Sequence, residues 1–409
     1  MTHGDRRTSL VVLVVGVVAF VGLAAWLVPW HPVPGGTPPP ASPGSVFTAR
    51  QISAAEDFSS WARAWSWSSL VVSLLIAGWL GFTRLGARLV ERLPGRWWVQ
   101  VVLTVAALVL VGRVVTLPFA VLMHRLLLDH GLTHQSWGGF ASDLVRTELV
   151  TIVTTSVGLV VLLACARRWR RAWPAVAGGL LAVLVLAGSF VYPLVVEPLF
   201  NSFTPLPDGP LRSQILRLAD REHVHVDDVL VADASRRTTT LNAYVSGFGS
   251  TRRVVVYDNL LADLPDGQVL SVVAHELGHA RHDDVVIGSL LGAAGALAGV
   301  GLLGLLVGPL GRRRAMGDPA LVPLLLALLA IGTVLASPLE NAVSRQIETR
   351  ADVDALEATH DPQAFIAMQR QLSLTSLADP TPPAWSQWWF GSHPTTLTRI
   401  AIARRLGGS

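Results

Sequence analysis

His275-Glu276-Leu277-Gly278-His279 ends six positions before Val285, where a long apolar run begins. On a helix, two histidines four apart share one face and can hold one zinc ion, with Glu276 close enough to act on a water at that metal. A base beside the metal serves catalysis, and a purely structural or sensing site has no use for one. The five residues therefore read as the core of a zinc peptidase, and the apolar run beside them as the sign of a membrane-embedded one.

The rest of the chain agrees. Its 409 residues are 51% hydrophobic and 15% charged, with a mean hydropathy of +0.49, more apolar surface than a soluble core of this size hides. The net charge of +4 comes from arginine alone, since the sequence has no lysine. These arginines cluster between apolar segments, as topology signals do, and do not form the basic face of a nucleic-acid-binding protein. Cys165 is a lone cysteine inside an apolar run, which excludes intramolecular disulfides and cysteine-ligated zinc.

Runs long enough to cross a hydrocarbon core fall at 9–29, 66–83, 97–123, 147–166, 174–196, 285–309 and 319–339. Seven spans are expected. The first is longer than a signal peptide's apolar region and lacks a clean cleavage site, so it reads as a retained span. Residues 31–43, rich in proline, read as an extended linker without chemistry of their own. Within 197–284, Asp208–Glu222 has helical spacing, Val224–Val231 reads as a strand, and Asn242–Val245 with Arg253–Tyr257 flank glycines as a hairpin does. The zinc motif lies on a helix over Gly267–His282, followed after span seven by helices over Asn341–Thr359 and Pro394–Arg405. The expected fold is a mainly α membrane protein. A seven-span bundle carries a small α+β peptidase domain built from the loop between spans five and six and the C-terminal region. The chain divides into an N-terminal membrane region at 1–196, a zinc-motif part at 197–284, a helical hairpin at 285–339 and a C-terminal part at 340–409.

Two histidines leave a catalytic zinc one protein ligand short. A third histidine six residues beyond the second is ruled out, because position 285 is Val. The helix after span seven offers Glu348 and Asp352, i,i+4 neighbours, of which one carboxylate could bind metal and the other accept a ligating histidine's second N–H. Two spans separate this helix from the zinc motif, so both lie on one membrane face. At about 1.5 Å per residue, each ligand sits on the order of 10–15 Å from its span's end. His282 and Asp283 read as polar boundary residues, and Asp284 as one that can also orient site groups. Arg113, in the middle of span three, should face the bundle interior or a cavity. Trp65, Trp67, Trp97 and Trp98 read as interfacial anchors.

These residues resemble the integral-membrane gluzincins of metallopeptidase family forty-eight, typified by the type I CAAX prenyl endopeptidase. The similarity runs through Asn201–Leu206, Asn242–Tyr244, Arg253–Leu261, Ala274–His279, Ser344-Arg345 with Glu348 and Asp352, and Ser392-His393-Pro394 with Arg399. The resemblance implies one zinc ion per chain held by His275, His279 and Glu348. Glu276 would be the general base and His393 would stabilise the oxyanion. With Glu348 as the ligand, the neighbouring Asp352 is left to support a ligating histidine, and Asp284 is the other candidate for orienting site groups. Asn242, Ala243 and Tyr244, with Arg399, would contact substrate, the strand residues by pairing with its backbone.

Arginines follow spans two (Arg84, Arg88, Arg92, Arg96), four (Arg167, Arg168, Arg170, Arg171) and six (Arg312, Arg313, Arg314), and Arg6 and Arg7 precede span one. All fall on one side, so the positive-inside rule places the zinc site outside, on a multi-pass protein of a prokaryotic plasma membrane. The expected partners are the bilayer and a peptide or protein substrate, lipidated or membrane-embedded. A general quality-control protease of membrane or exported proteins is the alternative enzyme. A zinc-binding receptor or transporter on the same bundle is the alternative of another class, and Glu276 argues against it.

Overall fold

The computed structural model describes residues 3–247, 249–311 and 314–408. Among them, seven helices are long and apolar enough to cross a membrane. The first five are α1 (His3–Leu27), α2 (Ala49–Phe82), α3 (Trp97–Asp129), α4 (Trp137–Arg168) and α5 (Trp173–Val191). A single wide π-helical turn, Tyr192–Val196, and a short helix, Glu197–Phe200, lead out of α5. Of these five, α2, α3 and α4 outrun the hydropathy-based spans, most of all α2, which starts at a reciprocal cap between Thr48 and Gln51 well before its apolar core.

The peptidase part begins with β1 (Phe203–Pro205), α6 (Pro210–Arg221), β2 (Asp228–Ala232), β3 (Ala243–Ser246) and β4 (Arg253–Tyr257). The sheet order is β1-β2-β4-β3, with β2 and β4 parallel and both outer pairs antiparallel. The expected hairpin is therefore present, but β1 and the parallel pairing are additions that strand periodicity does not reveal. α7 (Asp266–Arg281) packs Val269, Val273 and Leu277 into the domain core and turns His275 and His279 the other way, as a 3.6-residue period requires. His282 and Asp283 separate it from α8 (Asp284–Leu310), Asp283 taking the left-handed conformation (φ 54°) that lets the chain change direction.

The membrane hairpin differs from expectation in one respect. Span seven and the helix over 341–359 are a single element, α9 (Val322–Thr359), continuous through Pro338. A proline costs one backbone hydrogen bond, which neighbouring helices and side chains in a bundle absorb. α10 (Pro362–Ser376), α11 (Ala384–Phe390) and α12 (Thr396–Leu406) complete the domain. Nor is the proline-rich stretch an idle linker. Val33 is buried in the peptidase core, Ala41 N–H donates to Leu397 C=O at 3.1 Å, and Arg405 donates to Gly36 C=O at 2.6 Å. It straps α12 from outside.

At one end of the bundle the arginine-bearing loops meet: Arg314 pairs with Glu91 at 2.5 Å and Arg167 donates to Gly317 C=O at 2.8 Å. Arg312 and Arg313 lie outside the described residues. At the opposite end the loop between α3 and α4 joins the peptidase part, Thr239 N–H donating to Leu132 C=O at 3.2 Å. Inside the bundle, Arg113 finds its counter-charge in Glu148, Nε to Oε1 2.6 Å.

α1 is an integral bundle member, packed along α8 at backbone contact. A Cβ on Gly301 would meet Leu13 N at 2.4 Å, whereas one on Gly299 would meet nothing within 4 Å. Such small-residue seams replace the hydrophobic effect as the association force between membrane helices. Gly301→Leu should cost ~1–3 kcal/mol by overpacking and lower the thermal midpoint of the detergent-solubilised protein. Gly299→Leu should leave it unchanged.

Candidate metal centre and substrate edge

α7 and α9 cross tightly at Gly278, where a Cβ would lie 3.4 Å from Ala351 Cα. That approach brings Glu348 over the two histidines. One donor atom from each of His275, His279 and Glu348 lies within 4.8 Å of the others. The two Nε2 atoms are 3.2 Å apart, and the Glu348 oxygens lie 3.2 Å from His275 Nε2 and 3.6 Å from His279 Nε2.

Each histidine is oriented from behind. His275 Nδ1 is 3.0 Å from Asp352 Oδ1, and His279 Nδ1 is 2.9 Å from Asp284 Oδ2. A carboxylate at Nδ1 holds the proton there and leaves the Nε2 lone pair free. Both carboxylates are in turn gripped by arginine: Asp352, fully buried, by Arg399 (Nε to Oδ2 2.8 Å), and Asp284 by Arg350. Two parallel Arg-Asp-His lines thus converge on one point. Arg399, expected beside substrate, has its guanidinium held by Asp352 and so also supports His275 from behind. Arg350 was not anticipated, because nothing in the sequence ties it to Asp284, 66 positions away.

The arrangement suits a divalent metal on three counts. Ligands at about 2.0–2.1 Å in a tetrahedron stand roughly 3.3–3.4 Å apart, close to the separations observed. Glu348 Oε2 is buried, with His275 Nε2 at 3.2 Å and His393 Nε2 at 3.4 Å. Burial opposes charge on His275, yet its pairing with the Asp352 and Glu348 carboxylates outweighs that and lifts the imidazole to about 10. The carboxylates here call for a cation.

Glu276 is one residue from the first histidine and keeps part of its surface open. Desolvation by the surrounding protein raises its carboxyl above the ordinary range, against the pull of His275 and His279. His393, before α12, sits with Nε2 3.4 Å from Glu348 Oε2 and its side chain 58% exposed. Ser392 Oγ lies 2.8 Å from its Nδ1, and Gln387 donates to its carbonyl at 2.7 Å.

β3 is the outer strand on this side of the sheet. Tyr257 N–H donates to Asn242 C=O at 3.0 Å and Ala243 is opposite Val256. Hydrogen-bonded pairs alternate in an antiparallel ladder, so Tyr244 and Ser246 bond to β4 while the N–H and C=O groups of Ala243 and Val245 face the open edge. Asn242 is exposed at the strand's start. The Tyr244 hydroxyl instead turns toward Glu197 (3.5 Å), as does Ser246 (3.3 Å), and burial pushes the phenol's pKa up. Glu197, at the end of α5's extension, was missed; an acidic residue closing an apolar span was the available signal.

Seven apolar helices carrying a His-His-Glu donor set beside a glutamate define an integral-membrane metallopeptidase. The profile described as peptidase family M48 matches residues 205–406, and that of the CAAX prenyl protease N-terminal region, five membrane helices, matches 51–202. The chain is 31% identical over 315 residues to the uncharacterized metalloprotease YhfN of Bacillus subtilis, covering 75% of this chain and 74% of that protein. It is 27% identical over 303 residues to a CAAX prenyl protease 1 homolog of rice, Oryza sativa subsp. japonica, covering 72% and 71%. The crystal structure of S. mikatae Ste24p has the same fold, with a TM-score of 0.78 at 19% identity over 97% of this chain and 99% of that one. The chain belongs to peptidase family M48. It is a membrane zinc endopeptidase of CAAX prenyl protease-like kind, and the receptor or transporter reading is not favoured.

Removing one supporting carboxylate while keeping its shape should loosen the metal. Asp352→Asn and Asp284→Asn should each weaken zinc affinity about 10–100-fold, measured by competition with a chromogenic chelator.

Proposed function

We propose that His275, His279 and Glu348 hold one zinc ion per chain, and that the site cleaves peptide bonds of membrane-anchored polypeptides. The observation that carries the metal assignment is the convergence of one donor atom from each of His275, His279 and Glu348 within 4.8 Å of one another. When bound, zinc supplies Lewis acidity and makes a nucleophilic water available at neutral pH. Glu276 takes the proton from the attacking water and returns it to the leaving amine, a double task suited to a carboxyl raised toward neutrality by its surroundings. His393 donates a hydrogen bond to the carbonyl oxygen as it gains charge. Ala243 and Val245 pair with the substrate backbone along β3, reading extended conformation more than side chains, and Asn242 borders that edge.

The choice of a membrane-anchored substrate rests on where the ligands stand. α7 is separated from α8 by only His282 and Asp283, and Glu348 rides on the same helix as span seven. A chain tethered to the bilayer, by a lipid group or by its own span, is delivered at that height; a soluble one pays the entropy of capture. The same peptide should therefore be cleaved with a KM at least about tenfold lower when it carries a lipid anchor, compared in proteoliposomes with and without chelator. Equal KM values would remove the case for anchored substrates.

The arginine loops gathered at the far end of the bundle support a site on the outer face of a prokaryotic plasma membrane. That orientation disfavours processing of cytosolic prenylated proteins and leaves exported or membrane-embedded chains as the substrates. With Cys165→Ala as background, Asp208→Cys, whose native side chain is fully exposed, should react in intact cells with a membrane-impermeant maleimide. Labelling by permeant reagent alone would place the site inside.

A further inference from the structure

An aromatic cluster stands apart from the chemistry above. α11 reads Ala384-Trp385-Ser386-Gln387-Trp388-Trp389-Phe390, and its Trp385 and Trp388 are each 54% exposed, Phe390 40%. Trp385 packs on Trp67 of α2, ring centroids 4.5 Å apart, and Phe390 lies 6.2 Å from the same ring. So large an open aromatic surface on the water side would be an aggregation hazard.

Its height is fixed by span seven. Trp389 Nε1 donates to Val334 C=O at 2.9 Å, and Ser337 and Asn341 donate to Trp389 C=O. Val334 belongs to the apolar part of α9, while Glu340, Asn341 and Arg345 begin its polar part. α11 is thus bound to the turns where span seven leaves the hydrocarbon. Tryptophan concentrates at that depth because its ring is apolar and its N–H polar.

The polar side of α11 faces the site. Gln387 donates to the His393 carbonyl at 2.7 Å, and Arg345 donates to Gly391 C=O at 2.6 Å, holding the short segment between α11 and His393. Asn341 and Glu348 are seven residues apart on α9, about 10 Å along the helix.

We infer that α11 is an interfacial wedge. Trp385, Trp388 and Phe390 dock into the headgroup–acyl boundary of the bilayer, and the docked helix holds the segment that carries His393 against Glu348. The partner is the lipid surface, continuous with the surface that the spans already contact. The second half rests on the reading of His393 given above; the first does not.

Two measurements on the full chain in lipid nanodiscs test it. In a Cys165→Ala background, an environment-sensitive fluorophore on Trp388→Cys should be quenched by lipids bearing a nitroxide near the top of the acyl chain. The same probe on Arg217→Cys, an exposed position of α6, should not be. Equal quenching at the two positions overturns the wedge, as does a signal at 388 that ignores the nitroxide and follows protein concentration, which would assign the face to a second copy. For the coupling, Trp385→Ser with Trp388→Ser should lower kcat about tenfold or more, since a 1 Å misplacement can cost ~10²-fold, with zinc content and KM unchanged. Phe at both positions should restore it. A serine double variant with wild-type kcat, while His393→Ala is impaired, overturns the coupling. If His393→Ala is itself unimpaired, the catalytic reading of that residue fails and the quenching result alone decides the wedge.

Discussion

Val322–Thr359 leaves the apolar bundle and enters the peptidase domain as one helix, and its stiffness decides where Glu348 can be. A helix broken at the membrane boundary would leave that carboxylate on a loose joint. An unbroken one makes its position a consequence of how span seven packs. Opposite it, α7 is anchored through Val269, Val273 and Leu277 and crosses α9 where Gly278 allows backbone approach. The proposed metal centre is therefore the contact point of two helices fixed from different sides, one by the soluble core and one by the bundle.

Charge balance at that contact explains the remaining polar residues. His275, His279, Glu348 and Glu276 concentrate donors and negative charge in a largely buried place, which is costly unless each group is paired. The Arg399-Asp352-His275 and Arg350-Asp284-His279 lines satisfy the buried carboxylates and aim both Nε2 atoms at one point. The arginines arrive on different elements, α12 and α9, so closing the site requires the C-terminal helix and its proline-rich strap to be in place. This gives a structural purpose to residues 31–43, which look like spacer in the sequence.

Hydrophobic runs were legible because burial in lipid demands them, and the order of the seven spans follows directly from composition. The pairs His275 with His279 and Glu348 with Asp352 were legible because i,i+4 spacing puts each pair on one helix face, and Glu276 because it adjoins the first histidine. Boundaries were not, since α2 and α9 continue through polar residues that hydropathy treats as ends. Arg350, Glu197 and the pairing of Arg399 with Asp352 depend on contacts between elements far apart in sequence, which no local pattern encodes. The parallel pairing of β2 with β4 is hidden for the same reason. The edge status of β3, and hence the outward groups of Ala243 and Val245, follows only from the sheet order.

The central claim is that one zinc ion at His275, His279 and Glu348 works with Glu276 as the base. Metal content and hydrolysis of a casein or lipid-anchored peptide, measured on purified wild-type protein and on Glu276→Gln, test it most directly. The account predicts that the variant keeps its zinc and loses about 10²–10⁴-fold in rate, the usual worth of a positioned acid–base group. Equal cleavage by the two proteins would contradict it.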